Sequence, residues 1–169
     1  MGRRREGREA AVQFLFAHEI QAAGAGAGDE AFWDLHMAKK GARAYAEDLI
    51  KGVLAHLPEI DRCIETAVEN YRMERLAAVE RNILRVAVYE LNHLADAPPP
   101  VVINEAIEIA KKFGATESGG FVNGILDRIA KNNKAAAAGT ESQKSEVQKS
   151  EPESSRSAIA DTLPATSGS

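Results

Sequence analysis

The chain has 169 residues, a formal net charge of −4 at pH 7 and a single cysteine, Cys63. That length supports one ordinary core, the lone thiol excludes an internal disulfide, and the acidic balance means that any attraction to nucleic acid must be local. No apolar stretch is long enough to cross a bilayer, and the start MGRRREGREAAV lacks an apolar secretory run, so a cytoplasmic protein with no membrane partner is expected.

Apolar residues recur at three- and four-residue steps in every segment between breakers, with no sustained period-two alternation, which predicts an all-α fold. The first helix is expected from about Arg5 to Ala23, with Val12, Leu15, Phe16 and Ile20 on one stripe. It ends at the loop Gly24-Ala25-Gly26-Ala27-Gly28, which is no phosphate-binding loop because the required Lys-Ser/Thr is absent. Asp29 is placed to cap a long helical region holding Phe32, Leu35, Tyr45, Leu49, Ile50, Val53 and Leu54, with a break near Gly41. Pro58 opens the next helix, which reaches about Tyr71 and carries Ile60, Cys63, Ile64, Ala67 and Val68, a pattern that makes Cys63 a core thiol rather than a nucleophile.

From Leu76 to Leu94, apolar residues surround nearly the whole helix axis, so this helix belongs at the centre of a bundle. Its Arg81, Arg85 and Asn92 share a strip, with Arg85 read as an ion-pair former, while Glu80 sits near the positive N-terminal end. Pro98, Pro99 and Pro100 stop that helix and preset the next, on which Val102, Ile103, Ala106, Ile107, Ala110 and Phe113 form a stripe. Gly114 stands where a left-handed C-terminal cap is expected. A polar corner, Ala115-Thr116-Glu117-Ser118-Gly119-Gly120, leads into a last helix with Val122, Ile125, Leu126 and Ile129 on one face. From Asn132 onward only Val147, Ile159 and Leu163 are large aliphatics, so residues 132–169 read as a disordered low-complexity tail beside a domain at 1–131.

Local positive charge is concentrated at the start, where Arg3, Arg4, Arg5 and Arg8 outnumber Glu6 and Glu9. If the helix extends back that far, Arg4, Arg5 and Arg8 share a face, and cations at a helix N-terminus conflict with the backbone dipole unless an anion such as phosphate is present. Charge alone balances an RNA-binding arm against a solvated basic arm. Single strands are read by stacking bases on aromatics and bonding their edges, which brings in Phe113 and Phe121 around the corner with the acceptors of Glu117 and Ser118 between them. On spacing alone both phenylalanines read as core.

The segments INEAIEIAKKFG and FVNGILDRIA, with VERNILRVAVYEL upstream and Arg8-Glu9-Ala10-Ala11-Val12-Gln13 near the start, resemble the NusB family of bacterial transcription antitermination factors over most of residues 3 to 131. The resemblance implies two small helical bundles packed together around the buried central helix. It also implies binding of boxA single-stranded RNA in nascent ribosomal RNA transcripts, with the ribosomal protein NusE as partner and an antitermination complex on RNA polymerase as destination. By that resemblance Phe113, Glu117 and Phe121 become RNA contacts, as does Tyr71 where many members carry tryptophan, and the arginine-led helix becomes part of the RNA surface. Glu80 and Phe16 become contacts to the protein partner, Phe16 replacing a common tyrosine. Gly120 departs from the family's usual lysine, which removes a phosphate contact and implies weaker RNA binding.

Catalysis is not expected. His18, His36, His56 and His93 lack paired-ligand spacing, and no Cys-x-x-Cys occurs, so neither metal nor cofactor is implied. One alternative is the RNA-guiding module of a ribosomal RNA cytosine methyltransferase, which needs a separate α/β cofactor domain. Another is a helical module that recognises protein only, as a homodimer with the arginine helix in its interface.

Overall fold

The computed structural model describes residues 2–22, 29–36, 39–69 and 72–149. Their elements are α1 (Arg3–Ala22), α2 (Asp29–Leu35), α3 (Lys40–Ala55), α4 (Leu57–Val68), a 3₁₀ turn (Met73–Arg75), α5 (Ala78–His93), α6 (Pro99–Phe113) and α7 (Ser118–Lys149), with no strand among the described residues. Proline marks two of the starts: Pro58 lies in the first turn of α4, and α6 opens on Pro99 after Pro98 in extended backbone. There the missing proline N–H costs nothing, because first-turn N–H groups have no intrahelical acceptor.

Helix α5 is central, lying against α1, α3, α4 and α6. Ile83, Leu84, Val86, Ala87 and Val88 are buried along it, and each large aliphatic withdrawn from water contributes about 1.5–3 kcal/mol. On one side α1 packs along α3, and Phe14 of α1 meets Phe32 and Trp33 of α2 at ring-centroid distances of 5.2 and 6.1 Å. On the other side α4, α6 and α7 close the core with Ile60, Ile64, Ile109, Val122, Leu126 and Ile129. The helices approach closely where side chains are missing. A Cβ at Gly52 on α3 would collide with the Tyr89 ring of α5, and one at Gly7 on α1 would lie 2.7 Å from Tyr45 Cδ1.

Several expectations differ from this structure. Helix α2 ends at Leu35 and α3 begins at Lys40, so Gly41 lies inside the first turn of α3 and not at a break. Ile20 is 55% exposed, because the buried stripe of α1 is Ala10, Ala11, Val12, Phe14 and Leu15. Gly114 is not left-handed: at φ −92° and ψ −176° it is extended, and its N–H donates to Ala110 O at 2.8 Å. Space, not handedness, requires glycine there, since a Cβ would lie 2.6 Å from Ser118 Oγ and 2.8 Å from Ala110 O. Residues 132–149, expected to be irregular, are helical within α7. The side chains from Lys131 to Gly139 are exposed, so this stretch of the helix rests on the propensity of Ala135 to Ala138 and not on burial. Residues from Ala135 on form a separate unit from the body at 1–134.

Candidate nucleic-acid interface

The four arginines of α1 have different fates. Arg8 is only 4% exposed, and its Nε and Nη2 donate to the Glu90 carboxylate at 2.9 and 2.8 Å respectively. Tyr45 Oη donates to the same carboxylate at 2.8 Å, and Glu105 lies 3.8 Å from Arg8 Nη1. Burial works against the Arg8 charge, but the hydrogen bonds and charge of Glu90 outweigh it and raise its pKa. Burial and the Glu90 charge push the Tyr45 phenol up to about 12. Arg8 therefore corrects the sequence expectation: its guanidinium is enclosed by protein carboxylates and is not presented to phosphate.

Arg5 is partly withdrawn as well, holding Glu105 by two bonds of 2.8 Å from Nε and Nη2. That fork pairs planar guanidinium with planar carboxylate, and it holds the Glu105 carboxyl below its ordinary range against the opposing effect of burial. Arg3 and Arg4 remain exposed. Arg4 lies over the Tyr45 ring at 5.9 Å, with a long 3.4 Å contact from Nη1 to Asp96 O. The helix begins at Arg3, two residues before the expected start near Arg5, and of its four arginines only the first two present their charge outward.

The second candidate region is the α6–α7 corner. Phe113 and Phe121 are half-buried and packed against the core, which leaves part of each ring at the surface. Glu117 between them is exposed, and its backbone carbonyl accepts the Phe121 N–H at 3.2 Å. Lys112 places its ammonium 5.2 Å from the Phe113 ring centroid while pairing with Glu9 of α1 at 2.7 Å. The aromatic edge of the corner is thereby tied to the arginine helix. Gly120 is exposed within α7 with open space around a built Cβ, so the fold does not require glycine there.

Ser118 is the second correction. It is 1% exposed, its N–H donates to Ala115 O at 3.0 Å, and its Oγ donates to Glu80 Oε1 at 2.6 Å. Buried hydroxyls need such partners, so Ser118 braces the corner from beneath and is not available to a base. Glu80 is half-buried by the same contact, and Phe16 is half-buried on α1. Tyr71 lies outside the described residues.

Sequence reasoning missed the residues that organise these regions: Tyr45, Asn82, Glu90, Glu105 and Lys112. A signal existed for two of them, because Asn82 and Glu90 interrupt the apolar surface of α5 and are buried. Asn82 donates to Glu19 at 3.0 Å, and Glu19 also pairs with Arg81 and Arg85. Arg85 forks onto Asp61 at 2.8 and 2.9 Å, as the ion-pair reading of that residue expects. Of the histidines, His93 faces Glu59 at 3.3 Å and meets the His56 ring at a centroid distance of 4.1 Å and a tilt of 33°, and no group of three metal-ligating side chains occurs among the described residues.

The NusB family model matches residues 5–131. A transcription antitermination protein NusB from Sorangium cellulosum is 45% identical over 132 residues, covering 78% of this chain and 94% of that protein. Its counterpart from Geobacter sulfurreducens is 47% identical over 131 residues, with coverage of 77% and 95%. Among solved structures, T. maritima NusB superposes with a TM-score of 0.68 at 41% identity, covering 78% of this chain and 92% of that one. A NusB chain solved with NusE and double-stranded RNA superposes with a TM-score of 0.66 at 30% identity, covering 77% and 97%. Both curated relatives are named as transcription antitermination proteins. On the family match and these identities, the chain belongs to the NusB family of transcription antitermination proteins.

Proposed function

We propose that this antitermination factor binds boxA-type single-stranded RNA in nascent ribosomal RNA transcripts jointly with a NusE-type ribosomal protein, and so keeps the strand tethered to elongating RNA polymerase in the cytoplasm. The observation that carries this reading is the α6–α7 corner, where Phe113 and Phe121 each leave a ring surface beside the exposed carboxylate of Glu117. Half-buried rings held by a core are stacking platforms for unpaired bases, and a carboxylate between them accepts hydrogen bonds from base edges. Arg3 and Arg4 then take phosphates, Arg5 holds the helix end in place through its pairing with Glu105, and Tyr71 adds a further stacking surface. Arg8 and Ser118 act from beneath, fixing the helix and the corner. Glu80 and Phe16 face the protein partner, in keeping with a related chain having been solved with NusE and RNA.

The test is fluorescence anisotropy with a labelled boxA strand, a scrambled strand and the boxA sequence as a duplex, with and without the NusE-type protein, at two salt concentrations. Selective, salt-sensitive binding to the boxA strand that the partner strengthens is the expected result. Equal affinity for the scrambled strand, or preference for the duplex, would reject base reading at the corner.

A further inference from the structure

Two helices bring cations together at their positive ends. The first turns of α3 lie beside those of α1: the Lys39 N–H donates to Glu6 Oε1 at 3.1 Å, and the Arg3 side chain passes within 3.4 Å of a Cβ built at Gly41. Lys39 is the residue preceding α3 and Lys40 is its first, both are exposed, and the first turn of α3 contains no acidic residue. With Arg3 and Arg4 they make a patch of four exposed cations contributed by both helices. Among the described residues none of the four is paired with a carboxylate, in a chain whose net charge is −4. One oxygen of Glu6, the acid in the first turn of α1, accepts the Lys39 backbone N–H.

Lysines at a helix N-terminus are opposed by the backbone dipole, and here two such ends meet side by side with like charge on both. An isolated fold gains nothing from that arrangement. A polyanion relieves the repulsion at both ends at once, and a flexible phosphodiester strand can follow cations that lie on separate elements. The patch is also continuous with the corner through α6, since Arg5 pairs with Glu105 and Lys112 pairs with Glu9. From Glu105 to Phe113 the helix rises about 12 Å, at 1.5 Å per residue.

We propose that Lys39 and Lys40 at the start of α3, with Arg3 and Arg4 of α1, form a phosphate track that holds RNA flanking the base-reading corner. The track extends the RNA-binding role proposed above and rests on it. It is sequence-independent, so it lengthens the bound strand without changing which bases are preferred.

The experiment compares the wild-type chain with Lys39→Gln/Lys40→Gln, using labelled boxA RNA alone and the same RNA extended by oligouridine tails, over a salt series. Lys51→Gln, an exposed lysine elsewhere on α3, serves as control, and thermal melts check that each variant is folded. Two lost phosphate contacts should lower the salt slope for the tailed RNA by about 1.4, so that wild-type affinity falls about sevenfold more than the variant's over a fourfold rise in salt. The preference for boxA over a scrambled strand should be unchanged. Identical slopes for variant and wild type, with boxA selectivity intact, would overturn the track and leave the corner reading standing. No RNA binding by the wild-type chain would overturn both. Loss of NusE-type protein binding in the variant, with RNA binding untouched, would assign the patch to protein and overturn the track.

Discussion

The arginine end of α1 and the α6–α7 corner both combine charged, hydroxyl and aromatic side chains, yet they are built in opposite ways. At the arginine end the inner groups are consumed by the fold: Arg8 and Tyr45 converge on Glu90, and Arg5 forks onto Glu105. Only the outermost turn, Arg3 and Arg4, is left for a ligand. At the corner the bracing is beneath and the display is above, with Ser118 buried on Glu80 while Glu117 is exposed beside two half-buried rings. Residue type therefore does not mark a ligand contact in either region. The presence of a buried protein partner decides whether a polar group supports the fold or faces outward.

This contrast is most severely tested at Arg8. Removing one member of a buried ion pair strands the other charge, so Arg8→Ala should destabilise the protein by about 3–5 kcal/mol in urea denaturation. If Arg8→Ala instead leaves stability intact and weakens RNA binding, the arginine end works like the corner and the distinction fails. Gly114→Ala should cost about 1–3 kcal/mol by overpacking against Ser118, and because it displaces the bend it should also reduce boxA selectivity. Ser118→Ala leaves Glu80 without its donor and should cost about 0.5–1.5 kcal/mol, a loss seen in denaturation before it is seen in RNA affinity.

Acid provides a gentler probe of the arginine end. The Glu105 carboxyl is held below its ordinary value of 4.5, chiefly by the Arg5 hydrogen bonds with burial opposing, so its contribution is present above that value and is lost as pH falls through the lower folded-state pKa. Glu105→Gln should flatten the acid limb of stability against pH, and an unchanged limb would mean that the pairing with Arg5 is inconsequential. The smallest expected effect on the fold is that of Gly120→Lys. With open space at that position it should leave the melting temperature nearly unchanged while raising RNA affinity in a salt-dependent manner, a gain that anisotropy would detect.

Much of the architecture was legible in local pattern. The all-round apolar surface of α5 announced a central helix, the three prolines announced the start of α6, and the polar run after Gly114 announced a corner. What escaped depends on partners distant in the chain. Nothing near Arg8 says that Glu90 will enclose it, since 82 positions separate them, and 100 separate Arg5 from Glu105. Ser118 looked exposed because its neighbours are polar, although its own side chain is buried against α5. Gly114 looked like a left-handed cap because glycine serves that role so often, whereas here it makes room for the serine. The corner itself was found, but its inner and outer faces could be told apart only with the fold in hand.

The long sequence span of the arginine contacts has a consequence for biogenesis. As the chain leaves the ribosome, α1 can pack on α3 early, but the carboxylates that receive Arg8 and Arg5 belong to helices synthesised much later. At ordinary elongation rates about 5–20 s pass before Glu105 follows Arg5. Until then the N-terminal arginines are unneutralised and next to the most polyanionic particle in the cell. Completion of α6 withdraws the inner pair into the fold and leaves the outer pair facing solvent, so the nascent protein should shed ribosomal RNA contacts as its own core closes.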